Sequence, residues 1–142
     1  MAAGVKIFFD GGCRPDPHGM EVAVVIGGRQ YINRNLGPGT SMDAEWLALI
    51  EAMRLAHELD VTDAVLLGDA AAVIAQANGT VRCPRQYQRH FETFCARPRP
   101  PGRVRIRYLK RTQNLAGIAL LARRWSEHPR AWREIDLSRS VN

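Results

Sequence analysis

Val5-Lys6-Ile7-Phe8-Phe9-Asp10-Gly11-Gly12 is the stretch on which the reading of this chain turns. Five mostly apolar residues read as a buried strand that stops at a carboxylate followed by two glycines. A parallel or mixed sheet presents its chemistry at the carboxyl ends of its strands, where the backbone opens into a crevice. Asp-Gly-Gly is also ordinary turn chemistry, with glycine supplying positive φ. Two further acids give Asp10 its weight. Glu45 lies near the start of a long helical pattern, and Asp69 directly follows a second apolar run, Ala64-Val65-Leu66-Leu67.

Outward from that strand, residues 13–19 are rich in proline and glycine and exclude helix or central strand. Met20 to Ile26 reads as a second strand, and Gly27-Gly28 signals a hairpin into a third, Gln30 to Leu36. Thr40 or Ser41 caps a helix running to about Leu59, with Asp43 and Glu45 expected in its first turn, where carboxylates suit the helix dipole. Its buried stripe is Leu49, Ala52, Met53 and Ala56. Gly68-Asp69 opens a helix over 70–77, with Asp69 placed to cap it, and Cys83 to Ala96 reads as another. In Arg103 to Leu109, Val104, Ile106 and Tyr108 alternate with Arg103, Arg105 and Arg107, as in a half-buried strand with a basic outer face. A last helix spans about Gln113 to Glu127. The order is βββ-α-β-α-α-β-α: an α/β fold built on a five-stranded mixed sheet flanked by helices. One domain is expected over 1–127, with a polar tail over 128–142. Trp46, Trp125 and Trp132 are expected to pack in the core or tail.

The 142 residues suffice for a core without disulfides or a structural metal. Cys13, Cys83 and Cys95 are odd in number and widely spaced, which fits neither a disulfide framework nor a zinc site. With no apolar run of spanning length and no visible signal peptide, a cytoplasmic, membrane-free monomer is the expectation. The net charge of +6 conceals an asymmetry. Residues 1–81 carry 5 basic and 10 acidic side chains; residues 82–142 carry 15 basic and 4 acidic. An acidic half joined to a basic half suggests a polyanion held by one part while carboxylates act in the other. Arg82, Arg85 and Arg89 recur at helical spacing, and Arg103, Arg105 and Arg107 line one strand face. A merely solvated basic face accounts for the same pattern.

If the first and fourth strands are neighbours, Asp10, Glu45 and Asp69 converge on one spot. Clustered carboxylates repel unless a cation neutralises them, and Mg²⁺ or Mn²⁺ is the natural occupant. Two such ions about 4 Å apart can activate a water and stabilise the leaving oxygen of a phosphodiester.

Phe8-Phe9-Asp10-Gly11-Gly12-Cys13, Ala44-Glu45, Leu66-Leu67-Gly68-Asp69 and Arg111-Thr112-Gln113-Asn114 resemble the signatures of type 1 ribonuclease H, in its compact form, over residues 5 to about 125. The resemblance implies a ribonuclease H-like fold and two-metal cleavage of the RNA strand of RNA/DNA hybrids. It implies that Asp10 bridges both ions, that Glu45 and Asp69 hold one of them, and that a fourth carboxylate helps to hold the other. By the same resemblance Gly11, Gly12, Cys13, Ser41, Arg111 and Asn114, together with Arg82, Arg85 and Arg89, are expected to contact nucleic acid. The chain departs from the family in three places. The fourth acid's position is Ile118, which should weaken one metal site. Ser41-Met42 replaces the usual Asn-Asn, and Ala70-Ala71 the usual Ser-Gln. Asp16 or His18 is a candidate substitute ligand. The alternative function is a catalytically impaired nucleic-acid-binding module on the same fold; a nucleotide-dependent phosphotransferase is disfavoured by the short chain.

Overall fold

The computed structural model describes residues 4–127. The expectations for the tail, for Trp132 and for the side chain of Trp125 lie outside the described residues.

Alternating burial of Ile7 and Phe9 against one helical layer, and of Phe8 against another, makes β1 (Val5–Arg14) the central strand. It does not stop at Asp10. The strand continues through Gly11-Gly12 to Arg14, pairing antiparallel with β2 (Gly19–Ile26) from Ile7↔Ile26 to Arg14↔Gly19. Asp-Gly-Gly is therefore extended backbone rather than a turn, and the reason lies in packing. A Cβ at position 11 would sit 2.1 Å from the Ala44 carbonyl oxygen, so only glycine lets the next helix cross the strand this closely.

The hairpin at Gly27-Gly28, both with positive φ, returns the chain as β3 (Arg29–Asn33). This strand is shorter than expected. Beyond Asn33 the chain leaves β3, and Leu36 and Gly37 bond instead to the two ends of Met20. Next comes α1 (Ser41–Glu58), capped by Thr40, whose hydroxyl accepts from the Asp43 amide while the Asp43 carboxylate accepts from the Thr40 amide. The expected stripe is fully buried, as is Trp46, whose indole N–H donates to Gln76. Parallel pairing of β1 with β4 (Ala64–Gly68), and of β4 with β5 (Arg105–Tyr108), completes a sheet of order β3-β2-β1-β4-β5.

The remaining helices are α2 (Ala71–Ala77), α3 (Gln88–Ala96) and α4 (Leu115–Glu127). One face of the sheet packs on α1, with Val73 of α2 and Phe94 of α3 in the same core; Phe8, Ala23 and Val25 pack on Ala116, Ala119 and Leu120 of α4. Two sequence expectations are corrected here. Pro84 adopts an extended conformation, Arg85–Tyr87 form a single 3-10 turn, and the α-helix begins only at Gln88, so Arg82, Arg85 and Arg89 do not share a helix face. Tyr108, expected inward, is 56% exposed: it ends the ladder opposite Gly68, which offers no side chain to pack against. Among the described residues no helix is long and apolar enough to cross a membrane.

Candidate metal centre

The site forms where β1 loses a neighbour. Pairing with β4 ends at Phe8↔Leu67, while pairing with β2 goes on to Arg14. On the vacated flank, two side chains take up the backbone groups that a strand would otherwise bond. The amide nitrogen of Asn114 donates to the Phe9 carbonyl at 2.9 Å, and the Gly11 amide donates to the Glu45 carboxylate. Backbone polar groups removed from water need such partners.

The three expected acids meet here. Asp10 comes from β1, Glu45 from α1 and Asp69 from the junction of β4 with α2, and their carboxylate oxygens lie within 4.8 Å of one another. Among the described residues this is the only group of acidic, histidine or cysteine side chains that could hold a metal ion; Asp16, His18 and Glu92 do not join it. Two local roles suggested by sequence are corrected. Asp43 is the acid in the first turn of α1, while Glu45, further along, bonds to Gly11 instead of serving the helix end. The N-cap of α2 is Ala70, without a side-chain cap, which leaves Asp69 to accept from the Asn114 amide at 3.2 Å.

Crowding shows in the electrostatics. Burial, then the charge of Asp69, pushes the Asp10 carboxyl up to about 6, against opposing effects from its hydrogen bond with Glu45 and from Arg111 and Arg124. Burial and the charge of Asp10 push Glu45 up to about 9. Carboxylates crowded in this way favour a cation that neutralises them. A hard divalent ion fits this all-oxygen donor set, and Asp10, Glu45 and Asp69 are the residues that could hold it.

The acids open into a cavity of about 580 Å³. Gly11, Gly12, Cys13, Ser41, Arg111 and Ile118 line it with them. Asn114 does not reach this surface: it is 0% exposed, and its oxygen accepts from the Ala116 amide while its nitrogen bonds Phe9 and Asp69. It is thus corrected from a contact residue to one that ties α4 to β1 and to Asp69. Arg82 and Arg85 line a separate cavity of about 450 Å³, and Arg89 lines neither.

Sequence reasoning missed Gly117, Arg124 and Glu21. A Cβ at position 117 would lie 3.2 Å from Asp10 Oδ2, so glycine lets α4 approach the acid. Arg124 also lines the cavity, and its guanidinium bonds Glu21, which is 1% exposed. The seven-residue spacing from Gly117 to Arg124, two helical turns, was the available signal.

A five-stranded mixed sheet of this order, with helices on both faces and acids gathered where the central strand parts from β4, is the ribonuclease H-like fold. The chain is similar to the ribonuclease H1 of the halophilic archaeon Halobacterium salinarum NRC-1, at 24% identity over 82% of this chain and 92% of that one, with a TM-score of 0.64. It is similar also to the N-terminal ribonuclease H domain of a Mycobacterium tuberculosis protein, at 22% identity, 89% and 99% coverage and a TM-score of 0.66. A third likeness is the LC11 ribonuclease H1 in complex with an RNA/DNA hybrid, at 18% identity, 78% and 88% coverage and a TM-score of 0.62. The sequence matches no family model and no curated protein.

Proposed function

We propose that this chain is a metal-dependent endonuclease of the ribonuclease H type, hydrolysing the RNA strand of RNA/DNA hybrids. One observation carries the reading: three acids from distant parts of the chain lie within 4.8 Å of one another. Around them is a cavity edged by Arg111 and Arg124. Asp10, Glu45 and Asp69 would hold Mg²⁺ or Mn²⁺, which when bound supplies an activated water and positive charge for a phosphodiester oxygen. Arg111, exposed on the same cavity, is placed for a phosphate, and the Ser41 hydroxyl can hydrogen-bond a ribose. The basic half of the chain adds attraction that does not depend on sequence. A structural relative that was solved with such a hybrid supports the choice of substrate.

A second reading, a nucleic-acid-binding module with hydrolysis lost, is favoured by one feature. The position expected to carry the fourth acid is Ile118, half exposed in the cavity and without any ligand atom. Incubation of the protein with labelled hybrid and Mg²⁺ or Mn²⁺, beside Asp10→Asn, separates the two. Cleavage that falls at least roughly a thousandfold in the variant supports the enzyme. Hybrid bound but uncut by both proteins supports the module, and hybrid neither bound nor cut removes both.

A further inference from the structure

Alternation along β1 puts Phe8, Asp10, Gly12 and Arg14 on the face covered by α4, and the β2 register sets Ala23 and Glu21 opposite Asp10 and Gly12 on that same face. Glu21 is thus a carboxylate one rung along from the acid cluster, yet the group of potential metal ligands leaves it out. It is 1% exposed, and its Oε1 accepts from Nε and Nη2 of Arg124, each at 2.8 Å, with Arg14 Nε 3.9 Å away. Its other oxygen, Oε2, is buried without a hydrogen-bond partner.

Helical side chains lean toward the N-terminus of their helix, so a long residue two turns beyond Gly117 reaches back toward the point where α4 meets Asp10. The contacts agree. A Cβ at position 12 would lie 2.9 Å from Arg124 Nη2, so the guanidinium lies over Gly12, two residues from Asp10. Arg124 lines the cavity of the three acids and helps to hold the Asp10 carboxyl down against burial. On this side of the cluster, α4 offers Gly117 and Ile118, neither of which can ligate a cation.

We propose that Arg124, fixed by Glu21, supplies at this cluster the positive charge that a second divalent ion would bring, so that the chain takes up one ion rather than two. The inference rests on the metal-dependent reading above. Charge counting favours it. Asp10, Glu45, Asp69 and Glu21 bring four negative charges; Arg14, Arg111 and Arg124 bring three positive ones before any ion enters. One divalent ion already turns the balance positive, and a second would leave an excess of three positive charges beside a guanidinium held by buried Glu21. Glu21 is then a positioning residue. Its burial keeps the guanidinium aimed at the cavity, where it can meet the developing charge on a phosphodiester oxygen.

Mn²⁺ titration of the full chain by calorimetry, with steady-state cleavage of a labelled hybrid alongside, tests this. One Mn²⁺ per chain is expected for the unaltered protein. Arg124→Gln removes the repulsion and should tighten Mn²⁺ binding roughly tenfold, while kcat falls roughly a hundredfold. A merely structural residue does not move those two readouts in opposite directions. Arg124→Lys keeps the charge and should hold Mn²⁺ affinity within about threefold of the unaltered protein. Two Mn²⁺ per chain in the unaltered protein, unchanged affinity in Arg124→Gln, or tighter binding without loss of kcat would each overturn the proposal and leave the metal site standing. No Mn²⁺ bound at all removes the metal-dependent reading itself. Two ions in the unaltered protein would overturn the proposal whether or not the glutamine variant folds, and the lysine variant tests the charge if it does not.

Discussion

Asp10 and Glu45 are both pushed toward their protonated forms by burial and by a neighbouring carboxylate, Asp69 for Asp10 and Asp10 for Glu45. A cation can enter only by displacing the proton that such groups hold, so binding releases protons and affinity must rise with pH. Between about pH 6 and 9, the values to which the two carboxyls are pushed, Mn²⁺ affinity is expected to climb by up to tenfold per pH unit and then level off. Calorimetry in buffers of different ionisation enthalpy would count the protons; a flat profile would mean that the acids are already ionised. At this scale the sequence announced the three acids that meet at the site. It misassigned their surroundings because each had a local explanation that was sufficient by itself. Asp69 before Ala70-Ala71 looks like a helix cap, and only Asn114, 45 residues away in sequence, shows why it is held off that task. Glu21 and Arg124 are 103 residues apart, and no local pattern connects them.

Elements were legible where periodicity was long and uninterrupted, as in α1, with its capping box and its four-residue stripe. They were less legible where geometry is decided by a neighbour. The extension of β1 through two glycines depends on how closely α1 crosses it, and the late start of α3 depends on Pro84. Asn114 joins three elements: its side chain bonds Phe9 of β1, Asp69 at the end of β4 and Ala116 of α4. Asn114→Ala leaves the Phe9 carbonyl and the Ala116 amide buried without partners and is expected to cost roughly 2–3 kcal/mol. Urea denaturation measures the cost. If stability is lost but Mn²⁺ affinity is kept, the contact with Asp69 does not position that acid.

Over the whole molecule, the acidic and basic halves of the sequence are folded into one sheet, with β5 and its arginines at one edge and the acids at the centre. If at least three phosphates are engaged, hybrid affinity should fall with salt at a log–log slope of about −2 or steeper. Filter binding from low to moderate salt checks this, and a flat response would remove the basic surface from recognition. Charge asymmetry was readable from composition alone; the placement of Arg82 and Arg85 on a cavity of their own was not, because it follows from a turn rather than from a period. The flank that β1 leaves open beyond Phe8 carries a last consequence. Glu45 completes the sheet's hydrogen bonding at Gly11 with the same carboxylate it would offer to a cation. Uptake of an ion must therefore redistribute electron density away from a peptide N–H in the middle of the protein, and the backbone of the central strand becomes a resident reporter of occupancy.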